Sequence, residues 1–306
     1  MKIVVLAGGL GGSRFARALA EAIAPRELTI VGNVGDDIEV HGLHVSPDLD
    51  TILYTLTSRL DEERGWGRRD ETWAALETAA ELGAETWFRL GDRDLGLHLA
   101  RTERLRRGEP LSSVTRSLAT AFGLEPQLLP ATGDRLRTWL TTPAGEFPFQ
   151  EWFVARRHRD EVDAVRFEGE DEARAAPGVL QALEEADLIA IAPSNPYVSI
   201  GPILAVAEIR SALEQRRVPA VAVSPLIGGK AVRGPADRML ARMAGGTGPA
   251  QVTGCYKGLI DALVIDEADA GQPAGVPTIV TRTLMNDAEA RSRLANAVLD
   301  AAGAPA

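Results

Sequence analysis

Four aspartates lie close together near the start of the chain. Asp36 and Asp37 close the run GNVGDD (32–37), and Asp48 and Asp50 stand in SPDLDT (46–51). Clustered carboxylates serve as proton acceptors or as ligands of a hard divalent cation, although turns and helix starts also use aspartate. Upstream, Gly8, Gly9, Gly11 and Gly12 stand in AGGLGGSR (7–14). Glycine admits close approach of backbone to a ligand, and a helix start behind it favours an anion. A tight strand-to-helix turn with no ligand would also use glycine. If that loop holds phosphate, bare carboxylates beside it would repel the ligand. Mg²⁺ removes the conflict, because it binds carboxylate and phosphate oxygens together. A third polar run, APSNPYVSIGP (192–202), offers Ser194, Asn195 and Ser199 to a phosphate or a nucleobase edge, or else forms an ordinary turn. Arg93 stands between two acids in LGDRDLGLHL (90–99), placed either for a substrate anion or for ion pairs that organise a helix start.

Several chemistries are excluded. A G-x-G-x-x-G dinucleotide fingerprint needs glycine where Arg14 stands, and no acid closes the second strand to hold a ribose. Lys230 is followed by Ala231, so no Walker lysine loop is present. Cys255 is the only cysteine, which excludes an internal disulfide and multi-cysteine zinc. The four histidines show no metal-ligand pattern. The net charge is −10 and no Lys/Arg stripe stands out, which argues against nucleic acid. No apolar run is long enough to span a bilayer, and MKIVVLAGGLGG reads as a first strand, so a cytoplasmic location is expected.

These motifs need elements to carry them. Lys2–Leu6 and Leu28–Val31 read as strands, with an amphipathic stretch from Ser13 to Ile23 between them. Thr51–Leu60 reads as a helix capped at Asp48 or Asp50. From about residue 64 to 123 the pattern is mostly helical, over Glu71–Leu82, Leu95–Arg107 and Leu111–Phe122. Residues 125–168 look β-leaning, including FQEWFVARR (149–157). Strands return at Leu188–Ile191, Val218–Val223 and Ala262–Ile265, with helices over Ile203–Gln215, Asp237–Met243 and Ala288–Ala302. The expected fold is α/β: a doubly wound, Rossmann-like, mostly parallel sheet. Residues 1–60 and 170–306 form its nucleotide-binding core, and residues 61–169 a largely helical inserted cap. Ligands of such sheets bind beyond the strands' carboxyl ends, where the polar motifs fall. Trp66, Trp73, Trp87, Trp152 and Phe153 lie in the cap, as core or as a platform for a flat ring.

The ordered run GDDIEVHG, SPDLDTILY, GWGRRDETW, WFRLGDRDL, FQEWFV, APSNPYVSIGPIL, VAVSPLIGGKAVRGPA and YKGLIDALVIDE resembles the 2-phospho-L-lactate transferase family from Lys2 to about Glu267. The resemblance implies transfer of a phospho-lactyl, phospho-enolpyruvyl or phospho-glyceryl group from a guanosine-diphosphate donor to the terminal ribityl hydroxyl of the deazaflavin FO. GMP would leave, and the adduct would be an intermediate of coenzyme F420 biosynthesis. It implies Mg²⁺ held by Asp36 and Asp50, with Asp37 and Asp48 as second choices. It places Gly8–Gly12 at the diphosphate, Ser194, Asn195 and Ser199 at the nucleotide, and Arg93 near the reacting phosphate or the acid's carboxylate. A homodimer with no fused glutamate-ligase domain is expected. Relatives of this family include non-enzymatic regulators that bind nucleotide sugars. The paired GDD and PDLDT motifs and the WFRLGDRDL and FQEWF segments favour the transferase.

Overall fold

The computed structural model describes residues 1–301. Seven parallel strands form the central sheet: β1 (Ile3–Ala7), β2 (Leu28–Gly32), β3 (Gln127–Pro130), β4 (Leu188–Ile191), β5 (Ala220–Val223), β6 (Ala262–Asp266) and β7 (Thr278–Thr281). Their order is β7-β6-β5-β4-β1-β2-β3. β1 pairs on one side with β2, Ile3 opposite Leu28, and on the other with β4, Ile3 opposite Leu188. All five residues of β1 are buried, as a central strand covered on both faces requires. Their side chains alternate. Ile3 and Val5 pack with Phe15, Leu19, Ile52, Val114 and Leu294 on one face, while Val4 and Leu6 pack with Val179, Ile203, Leu213 and Val252 on the other.

From β1 the chain winds outward through β2 to β3, returns to the middle at β4, and then winds the other way. The reversal leaves a crevice between the carboxyl ends of β1 and β4, the position where open parallel sheets bind ligands. AGGLGGSR and APSNP are the segments that leave those two strands.

Helices α1 (Gly9–Ala22), α2 (Pro47–Leu56), α3 (Ala74–Glu81), α4 (Asp92–Arg106) and α5 (Leu111–Ala121) follow in chain order. Three expectations are corrected here. First, β3 lies inside the span expected to be an insertion, yet it pairs with β2, and Val114 and Leu118 of α5 join the main core. Residues 111–130 thus complete the core sheet. Four residues with no clear alternation were too short a signal to separate from the neighbouring β-leaning pieces. Second, FQEWFV is not extended: Glu151–Ala155 is a π-helical turn. It lies in the chain between the second and third strands of a small antiparallel sheet of Arg137–Thr142, Gly145–Pro148 and Ala164–Glu168. Third, the expected helix Ile203–Gln215 is two helices, Gly201–Ala205 and Ala207–Glu214, entered through a second π-turn at Pro196–Ile200. The edge strand β7 and the hairpin Ile38–Val40/Leu43–Val45 were not foreseen. The last helix runs Ala288–Ala301; its expected final residue, Ala302, lies outside the described residues.

Candidate active site

A cavity of about 750 Å³ opens over the β1/β4 crevice. Gly8, Gly9, Gly11, Asp36, Asp48, Asp50, Ser194, Asn195 and Ser199 all line it. The four motifs that bear these residues are separate in the sequence, and the reversal of the sheet brings them together.

The glycines work mainly by letting loops meet. A Cβ on Gly8 would stand 2.6 Å from Asp48 Oδ2, and one on Gly11 2.5 Å from the Pro193 carbonyl oxygen. Any larger residue at either position would force the β1 and β4 loops apart. Ser194 fastens the same junction, its Oγ donating to the Gly8 carbonyl at 2.7 Å. Gly9 opens α1 with a left-handed φ of +64°. Gly12 packs behind the cavity wall against Ser194. Asn195 caps its π-turn, Oδ1 accepting from the Tyr197 amide at 2.9 Å.

The four aspartates are buried, and their surroundings differ sharply. The cap of α2 is Ser46, with Pro47 at the first helical position, so Asp48 and Asp50 both sit inside the first turn. That corrects the expectation that one of them caps the helix. Carboxylates there are favoured by the helix dipole. Two residues apart on a helix, they point to different sides. Asp48 turns to the crevice, where Asn33 Nδ2 donates to its Oδ2 at 2.9 Å. Asn33 also donates to the Val198 carbonyl and accepts from the Gly35 amide, linking the β2, α2 and β4 loops. Burial outweighs that donor and pushes Asp48 up to about 6. Asp36 is less satisfied still. Its Oδ1 is buried with no hydrogen-bond partner. Burial first, then the negative charge of Asp48, raise its carboxyl well above the usual range. Asp37 stands behind, accepting from Ser46 Oγ at 2.8 Å and facing His44 Nε2 at 2.9 Å.

Asp50 turns away from Asp48 into a closed network. Arg101 grips both its oxygens, a bidentate buried ion pair. His98 and Asp94 extend the network along α4, and Tyr54 donates to Asp94 at 2.5 Å. Sequence reasoning missed this network. Its signal was the polar i, i+4, i+7 stripe of Asp94, His98 and Arg101 on one helix face. Arg93 is on the opposite, exposed side and does not line the cavity; its amide donates to Glu71. The arginines that do line it are Arg14, Arg64, Arg89, Arg157 and Arg233. Arg14 and Arg64 are engaged by Glu62 and Asp61, at 3.0 and 2.9 Å. Arg89, Arg157 and Arg233 form no ion pair among the described residues. Trp66, Phe149, Phe153 and His158 add flat rings to the cavity lining.

The described residues contain no cluster of three or more His, Cys, Asp or Glu placed to cage a metal. The unpartnered buried Oδ1 atoms of Asp36 and Asp37 instead fit a cation that takes one or two protein ligands and completes its shell with water and phosphate, which is the habit of Mg²⁺.

A parallel α/β sheet with its cavity at the reversal of strand order, walled by glycine loops and buried acids, belongs to the class of enzymes that handle phosphorylated ligands. The chain belongs to the family described as 2-phospho-L-lactate transferase CofD, whose model matches residues 3–281. It is 43% identical to a phosphoenolpyruvate transferase of Streptomyces griseus, over 99% of this chain and 98% of that one. It is 42% identical to the protein of the same name from Mycolicibacterium smegmatis, over 99% of both chains. A crystal structure of a UPF0052 family protein from Bacillus halodurans shares the fold, with a TM-score of 0.63 at 17% identity, over 97% of this chain and 98% of that one. No helix among the described residues is long and apolar enough to cross a membrane.

Proposed function

We propose that this chain transfers a phosphorylated three-carbon acid from a guanosine-diphosphate donor to the terminal ribityl hydroxyl of the deazaflavin FO, in coenzyme F420 biosynthesis. The observation that carries the reading is the buried acid pair, Asp36 with an unpartnered oxygen and Asp48 beside it, set against the loops that leave β1 and β4 in a cavity of about 750 Å³. Relatives named phosphoenolpyruvate transferase favour enolpyruvate over lactate or glycerate as the acid.

In this reading the start of α1 and the β4 loop hold the diphosphate. Asp36 and Asp48 would hold Mg²⁺, which supplies neutralisation of charge on the diphosphate oxygens. Asp50 was the expected partner of Asp36; locked by Arg101, it instead shapes the acceptor's side of the cavity. Arg89, Arg157 and Arg233 provide positive potential that a net charge of −10 does not otherwise supply. The flat rings of the lining cover the flat deazaflavin. The acceptor oxygen bonds to the β-phosphorus, the bond from that phosphorus to the bridging oxygen breaks, GMP leaves, and the hydroxyl proton passes to a cluster carboxylate. Positioning and charge neutralisation do most of the work in such transfers.

The test is incubation of the protein and Mg²⁺ with FO and each guanylated acid in turn, with the products identified by mass. One GMP per acid-phosphate–FO adduct is expected, fastest with enolpyruvate. A guanylated FO, or no adduct with any donor, overturns the reading.

A further inference from the structure

His158 stands at the end of the π-turn segment, and its backbone is unusual. Arg157 and His158 both adopt left-handed φ, +55° and +42°. Neither is glycine, and such conformations are strained unless the surroundings hold them. Here the surroundings do. Arg238, from the helix Ala236–Ala244, donates through Nη2 both to the His158 carbonyl and, at 3.0 Å, to its Nδ1. Phe153 stacks on the imidazole at 5.0 Å between centroids, and Phe149 stacks on Phe153 at 5.2 Å. All three rings line the cavity.

The contact with Arg238 fixes the chemistry of the imidazole. A guanidinium only donates, so the Nδ1 it touches must be a bare acceptor. The ring proton is therefore on Nε2, which has no protein partner among the described residues. Burial and the charge of Arg238 both lower the pKa of His158, keeping the ring neutral. The result is a neutral, oriented N–H donor beside a stack of flat rings.

We propose that His158 is a specificity-determining residue, whose Nε2–H donates to a carbonyl or ring-nitrogen acceptor on the edge of a planar heterocycle packed against Phe149 and Phe153. This deepens the transferase reading and rests on it for the ligand. Both of its substrates carry such an edge, the deazaflavin and the guanine base.

Two measurements test it. In ¹⁵N-histidine-labelled protein at neutral pH, long-range proton–nitrogen spectra should show His158 protonated on Nε2 alone, with the resonance assigned through the His158→Gln variant. Arg238→Leu should release the ring into a tautomer mixture. An imidazolium, or a ring protonated on Nδ1, overturns the inference whether or not the protein is a transferase. Affinity for FO is then followed by deazaflavin fluorescence and affinity for GDP by calorimetry. His158→Phe, which keeps the flat ring and loses the donor, should weaken one of the two by about tenfold and leave the other unchanged; His158→Gln, which keeps a donor, should retain most of the affinity. The ligand that weakens identifies the heterocycle. Equal effects on both, or on neither, overturn the inference. If the wild-type protein binds no FO and no GDP, the transferase reading fails and the ligand half of the inference fails with it. If His158→Phe does not fold, Arg238→Leu carries the same binding comparison, with a smaller loss expected for the same ligand.

Discussion

Asp48 and Asp50 are two residues apart on one helix turn, equally buried, and the protein treats them in opposite ways. Asp50 is met by a guanidinium on both oxygens and embedded in a chain of partners that runs through His98 and Asp94 to Tyr54. Asp48 receives one amide donor and faces another buried acid, Asp36, which has an oxygen with no partner at all. The first region has its charge compensated within the chain and resembles a structural brace. The second has no such cationic partner, and burial there pushes the carboxyls toward their neutral forms. Buried carboxyls without a cationic partner are costly, which is why the proposed cation is assigned to this region.

If that contrast is right, removing Arg101 should be the most damaging change to stability. Arg101→Ala strands Asp50 in a buried site, and chemical denaturation should show a loss of about 3–5 kcal/mol. Arg101→Met combined with Asp50→Leu should recover most of it. A mild single-variant phenotype would mean that the network is solvated and not a brace.

On the other side of the contrast, Asp36→Asn should cost function and not stability. Steady-state assays with FO and the preferred donor should lose about 100-fold or more in kcat, while the unfolding midpoint stays level or rises. A destabilised variant with normal turnover would reverse the roles assigned to the two regions.

Acid should separate the regions more gently. Asp48 binds a proton more tightly folded than unfolded, its pKa being raised from 3.8 to about 6. Its contribution to stability therefore grows as pH falls through about 6 toward 3.8, and is lost as pH rises through 6. In metal-free buffer the unfolding free energy should rise between pH 7.5 and 5.5 by about 1 kcal/mol more in wild type than in Asp48→Asn. Added Mg²⁺ at pH 7.5 should remove the difference. The smallest effect belongs to Arg93→Ala. That side chain is exposed and away from the cavity, so turnover should change by less than about twofold and stability by no more than about 0.5 kcal/mol.

Much of this was legible in the sequence, and the misses have physical causes. β1 and β4, buried on both faces, announce themselves as short continuous apolar runs ending in glycine or proline. The acids and the loops beyond those strands follow from the rule that parallel sheets bind ligands at their carboxyl ends. What the loops do for each other was hidden: Gly11 is needed against the Pro193 carbonyl, a contact between residues distant in sequence. The two π-turns were invisible because a single wide turn has no period to detect, and FQEWFV carries the aromatic content of a strand. Asp50 stood ahead of Asp48 as an expected metal ligand because its partner, Arg101, lies on another helix fifty-one positions away and gave no local sign of the ion pair. Arg93 drew attention by standing between acids, but the periodicity of α4 puts Asp94, His98 and Arg101 inward and leaves Arg93 outside.

The contrast between the two regions comes down to whether the Asp36–Asp48 side is completed by a cation shared with the donor's diphosphate. Calorimetric titration of GDP into the wild-type chain and into Asp36→Asn, each with and without Mg²⁺, measures this directly. The expected result is a wild-type affinity that rises at least about tenfold with Mg²⁺ and an Asp36→Asn affinity that does not respond to it. Equal GDP affinity with and without Mg²⁺ in the wild type, or an undiminished response in Asp36→Asn, would contradict the account.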